Sequence, residues 1–96
     1  MATFISLINW TEQGIRNYKD SIKRAEAYQQ VLEQAGGKLL NIYWTVGPYD
    51  IVSVAEAPDA ETVTSVLLQV GALGNVRSTT LRGFDRDEFG AIISKT

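Results

Sequence analysis

Cysteine and histidine, two residue types with wide catalytic use, are both absent from this 96-residue sequence. Without cysteine there can be no disulfide, thiolate nucleophile, iron–sulfur cluster or cysteine-ligated zinc. Without histidine the chain lacks the usual haem and metal ligand, the Ser-His-Asp triad and the commonest general base at neutral pH. The acidic residues are scattered along the sequence, so we predict neither a metal site nor a bound cofactor.

Charge and hydropathy argue against two further classes of protein. The formal net charge of −2 does not indicate the positively charged surface that is typical of nucleic-acid binding. No apolar run approaches the roughly 20 residues that a membrane span requires, and the N-terminus lacks the basic segment and apolar core of a signal peptide. We therefore expect a cytoplasmic protein that forms one domain over residues 1–96 and binds neither nucleic acid nor membrane.

The apolar pattern predicts the order β-α-β-β-α-β followed by a short helix. Runs rich in β-branched and aromatic residues predict strands over 3–10, 38–46, 50–57 and 75–84. Thr11 is a predicted N-cap, Pro58-Asp59 is predicted to open the second helix, and Asp85 with Glu88 is a capping-box-like start for the last helix. The first helix is expected to carry one apolar stripe from Ile15 to Ala35 and to end at Gly36, and the second to end at Gly71. The last helix is expected to bury Phe89, Ile92 and Ile93.

This order predicts an α+β, ferredoxin-like fold, in which both main helices lie on one face of a four-stranded antiparallel sheet. The first strand is apolar on both faces, with Phe4 and Ile8 on one side and Ile5 and Leu7 on the other. Helices can cover only one sheet face, so two sheets meeting face to face would bury the rest. We therefore predict pairing into a dimeric α/β barrel; a monomer with a large exposed patch is the alternative.

A basic segment at the start of the first helix is one candidate site. It contains Arg16, Lys19, Lys23 and Arg24. A bound anion would meet both these side chains and the positive end of the helix dipole. The alternative is a solvated helix face on which Asp20 pairs with a neighbouring cation.

A mixed polar and aromatic sheet face is a second candidate. Its predicted members are Asn41, Tyr43, Thr45 and Ser53, joined by Ser6 or Asn9 according to the register. These groups could line a small-molecule pocket or pair across the dimer interface. Trp10 and Trp44 are predicted to be apolar anchors first and ligand-stacking groups second.

The central turn Gly47-Pro48-Tyr49-Asp50 is a third candidate. Gly47 permits a positive φ, Pro48 fixes its own φ, and Asp50 can accept from nearby backbone N–H groups. Turn chemistry does not explain Tyr49. Its ring is expected to pack on another element or on a partner subunit, and contact of Tyr49 and Asp50 with a ligand is the alternative.

Three stretches, NWTEQGIRNYKDSIKR, VGPYDIV and LGNVRSTTLRGF, together resemble the GYD domain family. The glycine, tyrosine and aspartate that name the family correspond here to Gly47, Tyr49 and Asp50. The resemblance covers nearly the whole chain and implies the dimeric α/β barrel form of the ferredoxin-like fold. It brings no established general activity and no catalytic residue.

These observations favour a homodimer or higher homo-oligomer that binds a small molecule, with an anionic aromatic compound as one candidate. The candidate contacts are Trp10, Arg16, Lys19, Arg24, Asn41, Tyr43, Tyr49 and Asp50. One alternative is a cofactor-independent monooxygenase or isomerase that uses Asn9, Trp10 and Tyr43, although no catalytic constellation is recognisable. A purely structural or interaction module is the third hypothesis.

Overall fold

The sheet is antiparallel and has four strands in the order β2-β3-β1-β4. The computed structural model describes all residues, 1–96. The strands are β1 (Ala2–Trp10), β2 (Lys38–Trp44), β3 (Ile51–Ala57) and β4 (Val76–Gly83). The helices are α1 (Glu12–Arg16), α2 (Ser21–Gln34), α3 (Ala60–Ala72) and α4 (Arg86–Ile93), with a 3₁₀ turn at Tyr18–Asp20. The predicted ferredoxin-like α+β fold is confirmed.

One face of the sheet, the covered face, packs against α2 and α3. The register sets Phe4 beside Ala55 and Ile8 beside Ile51, and all four side chains are buried. Helix residues complete two small core clusters on this face: Tyr28 and Leu32 from α2, and Val63 and Val66 from α3. Alternation along the strands places one set of side chains against the helices and sends the other set away from them.

The other face, the open face, carries that second set of side chains. Its apolar members are Ile5, Leu7, Tyr43, Val52, Val54 and Leu81. None of them is fully buried, and Tyr43 and Leu81 are 58% and 46% exposed. The helices therefore cover one face of a sheet whose central strand is apolar on both.

The first helix is not continuous, so the predicted stripe from Ile15 to Ala35 is wrong in its first half. The 3₁₀ turn separates α1 from α2, and Ile15, Tyr18 and Ile22 are exposed. The α1 helix instead docks on the start of β4, where the Thr11 N–H donates to the Asn75 carbonyl at 3.0 Å. Tertiary contact at this end overrides the helical periodicity.

The mixed sheet face is divided between the two sides of the sheet. Ser6 and Ser53 lie on the covered face and are buried, whereas Asn41 and Tyr43 pair with Val54 and Val52 on the open face. A register shift between Leu39 and Asn41 changes the side-chain parity within β2. The prediction of a single polar face over Asn41, Tyr43 and Ser53 is therefore wrong.

The predicted caps Thr11 and Asp85 are confirmed, because each side chain accepts a backbone N–H of the following turn. At the predicted Pro58-Asp59 helix start, the Asp59 side chain caps α3 in the same way. Gly36 has the expected positive φ of 90° after α2, but after α3 the positive φ belongs to Gly74 rather than to Gly71. The last helix does not bury its apolar residues within the chain. Phe89 and Ile93 are 52% and 57% exposed.

Gly14 provides a test of the docking of α1. A Cβ at this position would lie 1.9 Å from the Asn75 carbonyl oxygen. Because the atom it meets belongs to the backbone, relieving the clash would require one of the two backbone segments to shift. We expect Gly14→Ala to lower the free energy of unfolding by about 1–3 kcal/mol, as overpacking typically does. Urea unfolding followed by circular dichroism measures the change.

The matched control is Gly71→Ala in α3, where a Cβ would meet no atom within 4 Å. It should be neutral or stabilise the protein by up to about 1 kcal/mol through helix propensity. Equal effects of the two substitutions would contradict the close contact at Gly14.

Candidate functional site

A cavity of ≈ 700 Å³ lies between the helices and the covered face of the sheet. Residues 21–31 of α2, residues 67–71 of α3, the end of β1, the start of β4 and one residue each of β2 and β3 form its wall. Tyr28 belongs both to this wall and to the packed core. Its apolar lining includes Ile8, Tyr28, Val31, Ile51 and Val70. The volume falls in the range of small-molecule sites, roughly 300–1,000 Å³.

Hydrogen-bond donors are concentrated on the wall of this cavity. Trp10, Ser21 and Arg24 contribute an indole, a hydroxyl and a guanidinium group. The Nε1 atom of Trp10 is buried and has no hydrogen-bond partner. The Ser21 hydroxyl accepts from Nε1 of Trp44 at 2.8 Å. No aspartate or glutamate lines the cavity, so its wall can donate to an acceptor but supplies no carboxylate base.

The phenol of Tyr28 lies deep in the same space, where it pairs with the Ser53 hydroxyl at 3.4 Å. Burial raises the pKa of Tyr28, and the hydrogen bond to Ser53 opposes that rise only in part. The phenol is therefore neutral at physiological pH. It can donate or accept a hydrogen bond but does not act as a tyrosinate base.

The end of the cavity near α1 is fixed by bonds to the loop between α3 and β4. The Thr11 hydroxyl donates to the Gly74 carbonyl, and the Gln13 amide donates to the Leu73 carbonyl and the Asn75 side chain at 3.1 and 3.0 Å. Arg24 secures the other side by donating to the carbonyls of Gly14 and Asn17, at 3.2 and 2.8 Å. These bonds hold α1 against both α2 and the loop.

The central turn positions Trp10 from outside the cavity. The Asp50 carboxylate accepts from the backbone N–H of Trp10 at 2.9 Å, and the Asp50 N–H donates to the Ile8 carbonyl at 2.9 Å. Asp50 thus accepts a backbone N–H as predicted, but from a strand 40 positions away in the sequence. Gly47 adopts a φ of 133°, and Tyr49 is half-buried in the turn.

The structure brings two of the eight predicted contact residues, Trp10 and Arg24, to the cavity. Arg16 forms an exposed ion pair with Glu12 at 3.2 Å, and neither Arg16 nor Lys23, the two cations predicted to pair with Asp20, does so. Lys19 lies exposed on the 3₁₀ turn. The remaining four lie away from the cavity, Asn41 and Tyr43 on the open face and Tyr49 and Asp50 in the turn. Ligand contact by these residues stays a prediction.

Several cavity residues were not among the predicted contacts. They include Ser21, Tyr28, Val31, Val70 and Ser78. Tyr28 belongs to the predicted apolar stripe, where a hydroxyl is the one signal that sets it apart from core residues. Val31 and Val70 gave no such signal, because an apolar side chain that lines a cavity has the same helical spacing as one that fills a core.

A family model described as GYD domain matches residues 4–93. The chain belongs to the GYD domain family. A relative of this GYD domain protein in Thermus thermophilus is 37% identical over 82 residues, which are 84% of this chain and 86% of the relative. That protein is named glutamine synthetase and cystathionine beta-lyase binding protein.

Solved structures share the fold of this GYD domain protein. A crystal structure of a Thermus thermophilus protein has 25% identity, a TM-score of 0.56, and covers 88% of this chain and 95% of its own. The Mycobacterium tuberculosis leucine response regulatory protein LrpA has 15% identity and a TM-score of 0.65. MtbAldR has 14% identity and a TM-score of 0.69. The match covers 88% of this chain in both cases but 51% of LrpA and 52% of MtbAldR, so the GYD chain spans about half of each.

The bond between Asp50 and Trp10 can be tested by substitution. Asp50→Ala removes the acceptor for the Trp10 N–H and leaves a partly buried donor unpaired. We expect the free energy of unfolding to fall by about 1–3 kcal/mol, as for a lost hydrogen bond to a charged group. Urea unfolding monitored by tryptophan fluorescence measures this loss.

Asp20→Ala is the control, because Asp20 is exposed and makes no side-chain capping bond. It removes the same charge and should change stability by no more than about 0.5 kcal/mol. If both substitutions had the same small effect, the turn would not fasten the end of β1.

Proposed function

We propose that this protein is a non-catalytic binding protein that pairs with a second copy through its open sheet face and holds a small molecule in the helix–sheet cavity. The observation that carries the proposal is the open face, on which six apolar side chains remain uncovered by the helices of the chain. Contiguous exposed apolar surface of this kind usually marks an interface.

The distribution of polar residues on the open face supports pairing between sheets. Lys38 lies beside Glu56 at one end of the face, and Asn9 beside Arg77 at the other end. The apolar residues lie between these two polar rows. An apolar centre with a polar rim is the usual anatomy of a protein interface.

The last helix gives a second reason to expect a partner copy. It begins with a full capping box, yet Phe89 and Ile93 are exposed. A helix of eight residues is too short to be stable in water without packing. Packing of α4 on the second copy would bury these side chains and stabilise both the helix and the pair.

Binding suits the cavity better than catalysis does. Its wall has no carboxylate, the chain has no histidine or cysteine, and burial keeps Tyr28 protonated. The monooxygenase or isomerase alternative relied on Asn9, Trp10 and Tyr43. Within one chain Asn9 and Tyr43 lie on the open face, whereas Trp10 lines the cavity on the covered face, so these three side chains do not meet around one substrate.

A protein partner is part of the proposal because the Thermus relative is named for binding two enzymes and resembles this chain over most of both lengths. An oligomer that carries a small molecule and docks on an enzyme could link the level of that molecule to the activity of the enzyme. The partner expected for this chain is an enzyme of amino-acid metabolism, as the two named enzymes are.

Val54→Lys tests the pairing, because it places a charge at the centre of the open face between Ile5 and Asn41. Burying an unpaired ammonium group at a sheet–sheet interface is strongly unfavourable. We expect the wild type to run as a dimer or larger oligomer and the variant as a monomer, measured by light scattering after size exclusion.

Gln30→Lys adds the same charge on the exposed side of α2 and should leave the assembly intact. A wild-type protein that stays monomeric over a roughly 100-fold range of concentration would refute the pairing, because association depends on concentration.

Docking on an enzyme can be measured with the glutamine synthetase and the cystathionine beta-lyase of the organism from which this chain comes. We expect at least one of them to bind the purified wild-type protein with a Kd on the order of micromolar or tighter, read out by calorimetry or interferometry. An unrelated enzyme of similar size is the control. Binding to neither enzyme would remove this partner class and leave the pairing proposal to be judged by light scattering.

A further inference from the structure

We infer that the partner enzyme docks where α1 meets α2, and that it presents there an apolar centre flanked by carboxylates. The docking surface, called the junction surface, is formed by Ile15, Tyr18, Lys19, Ile22 and Lys23. This inference rests on the proposed docking on an enzyme. It names the surface of this chain that binds the enzyme and the chemistry of the surface that it meets.

Three large apolar side chains are exposed on the junction surface. Ile15, Tyr18 and Ile22 are between 44% and 57% exposed, and all three lie within residues 15–22. Apolar side chains scattered singly over a surface are ordinary, whereas a group of them in one place marks an interaction site. Tyrosine is among the residues enriched at the centres of protein interfaces.

Hydrogen bonds hold the junction in the arrangement that exposes these side chains. The Thr11 hydroxyl donates to the Gly74 carbonyl, and Arg24 donates to the carbonyls of Gly14 and Asn17. These bonds fix α1 away from the path that a continuous helix would take. A surface that is ordered before binding loses little conformational entropy when a partner docks.

Two lysines without carboxylate partners indicate the charge of the enzyme surface. Lys19 and Lys23 are exposed, and neither belongs to the two ion pairs of the chain. Residues 16–24 contain four cations and one carboxylate, although the formal net charge of the whole chain is −2. A positive patch on an acidic protein steers and orients a partner that is locally negative.

A protein partner fits this surface better than a second copy or a membrane does. The proposed pairing uses the open face, whereas α2 packs on the covered face, so the junction surface remains accessible in the pair. Helices that lie in a membrane interface carry a long continuous apolar face. Here the apolar residues lie on either side of a 3₁₀ turn, and the net charge of the chain is negative.

The first test replaces Ile22 with glutamine and measures binding to the glutamine synthetase and the cystathionine beta-lyase of the organism by interferometry. Ile22 is exposed, so the variant should fold, which circular dichroism checks. We expect Ile22→Gln to raise the Kd about tenfold, as truncation at an interface hot spot does. Leu68→Gln is the control, because Leu68 is 69% exposed on the other main helix, and it should leave the Kd unchanged.

The second test replaces Lys19 and Lys23 together with glutamine. We expect the association rate constant to fall roughly three- to tenfold at low ionic strength, and its dependence on salt to weaken. Gln30→Glu combined with Gln34→Glu is the control, because it lowers the net charge by the same amount at exposed positions further along α2. An unchanged rate and salt dependence in the lysine variant would remove the carboxylates from the inferred partner.

Three further results would overturn the inference. If an enzyme bound the wild type and Ile22→Gln equally, docking would stand and the junction surface would be the wrong site. Binding of neither enzyme would remove both the partner and its surface. If Ile22→Gln instead reduced the size of the oligomer in light scattering, or abolished binding to phosphatidylcholine–phosphatidylglycerol vesicles without affecting the enzyme, the surface would belong to a second copy or to a lipid.

Discussion

The hydrogen-bonded pairing of β1 with β3 on one edge and β4 on the other fixes the rest of the structure. Because β1 is apolar on both faces, this central position requires cover on two sides of the sheet. The chain supplies cover for one side through α2 and α3. The cavity on the covered face and the apolar surface on the open face are both consequences of how much apolar surface a chain of 96 residues can bury alone.

The cavity exists because the space between the two helices is filled at one end only. Leu32, Ala55 and Val66 are buried in one cluster of the core, while the first turns of α2 carry Ser21 and Arg24 at the level of the cavity. The α1 helix does not fill this space, because Gly14 and Thr11 hold it against Asn75 and Gly74. Because the short α1 helix does not continue the apolar stripe of α2, this end of the space between helices and sheet stays open.

The likeness to LrpA and MtbAldR shows that the ferredoxin-like fold also occurs within chains about twice as long, and at this identity it concerns the fold alone. The central turn has a structural role in this chain. Asp50 fastens the turn to the end of β1, and through that strand it positions Trp10 at the cavity.

Local patterns in the sequence determined the order of strands and helices, the caps at Thr11 and Asp85, the turn at Gly47 and the family, because each depends on residues close together in the chain. The break after α1, the bulge in β2 and the division of Ser53 from Tyr43 were decided only by tertiary contacts. A helical stripe shows which residues face inward, but it does not show whether the inside is filled, so the cavity and its unpaired indole N–H could not be predicted. Asp50 was expected to cap its own turn, and its bond to a strand 40 positions away depends on the folded sheet, which brings the two together.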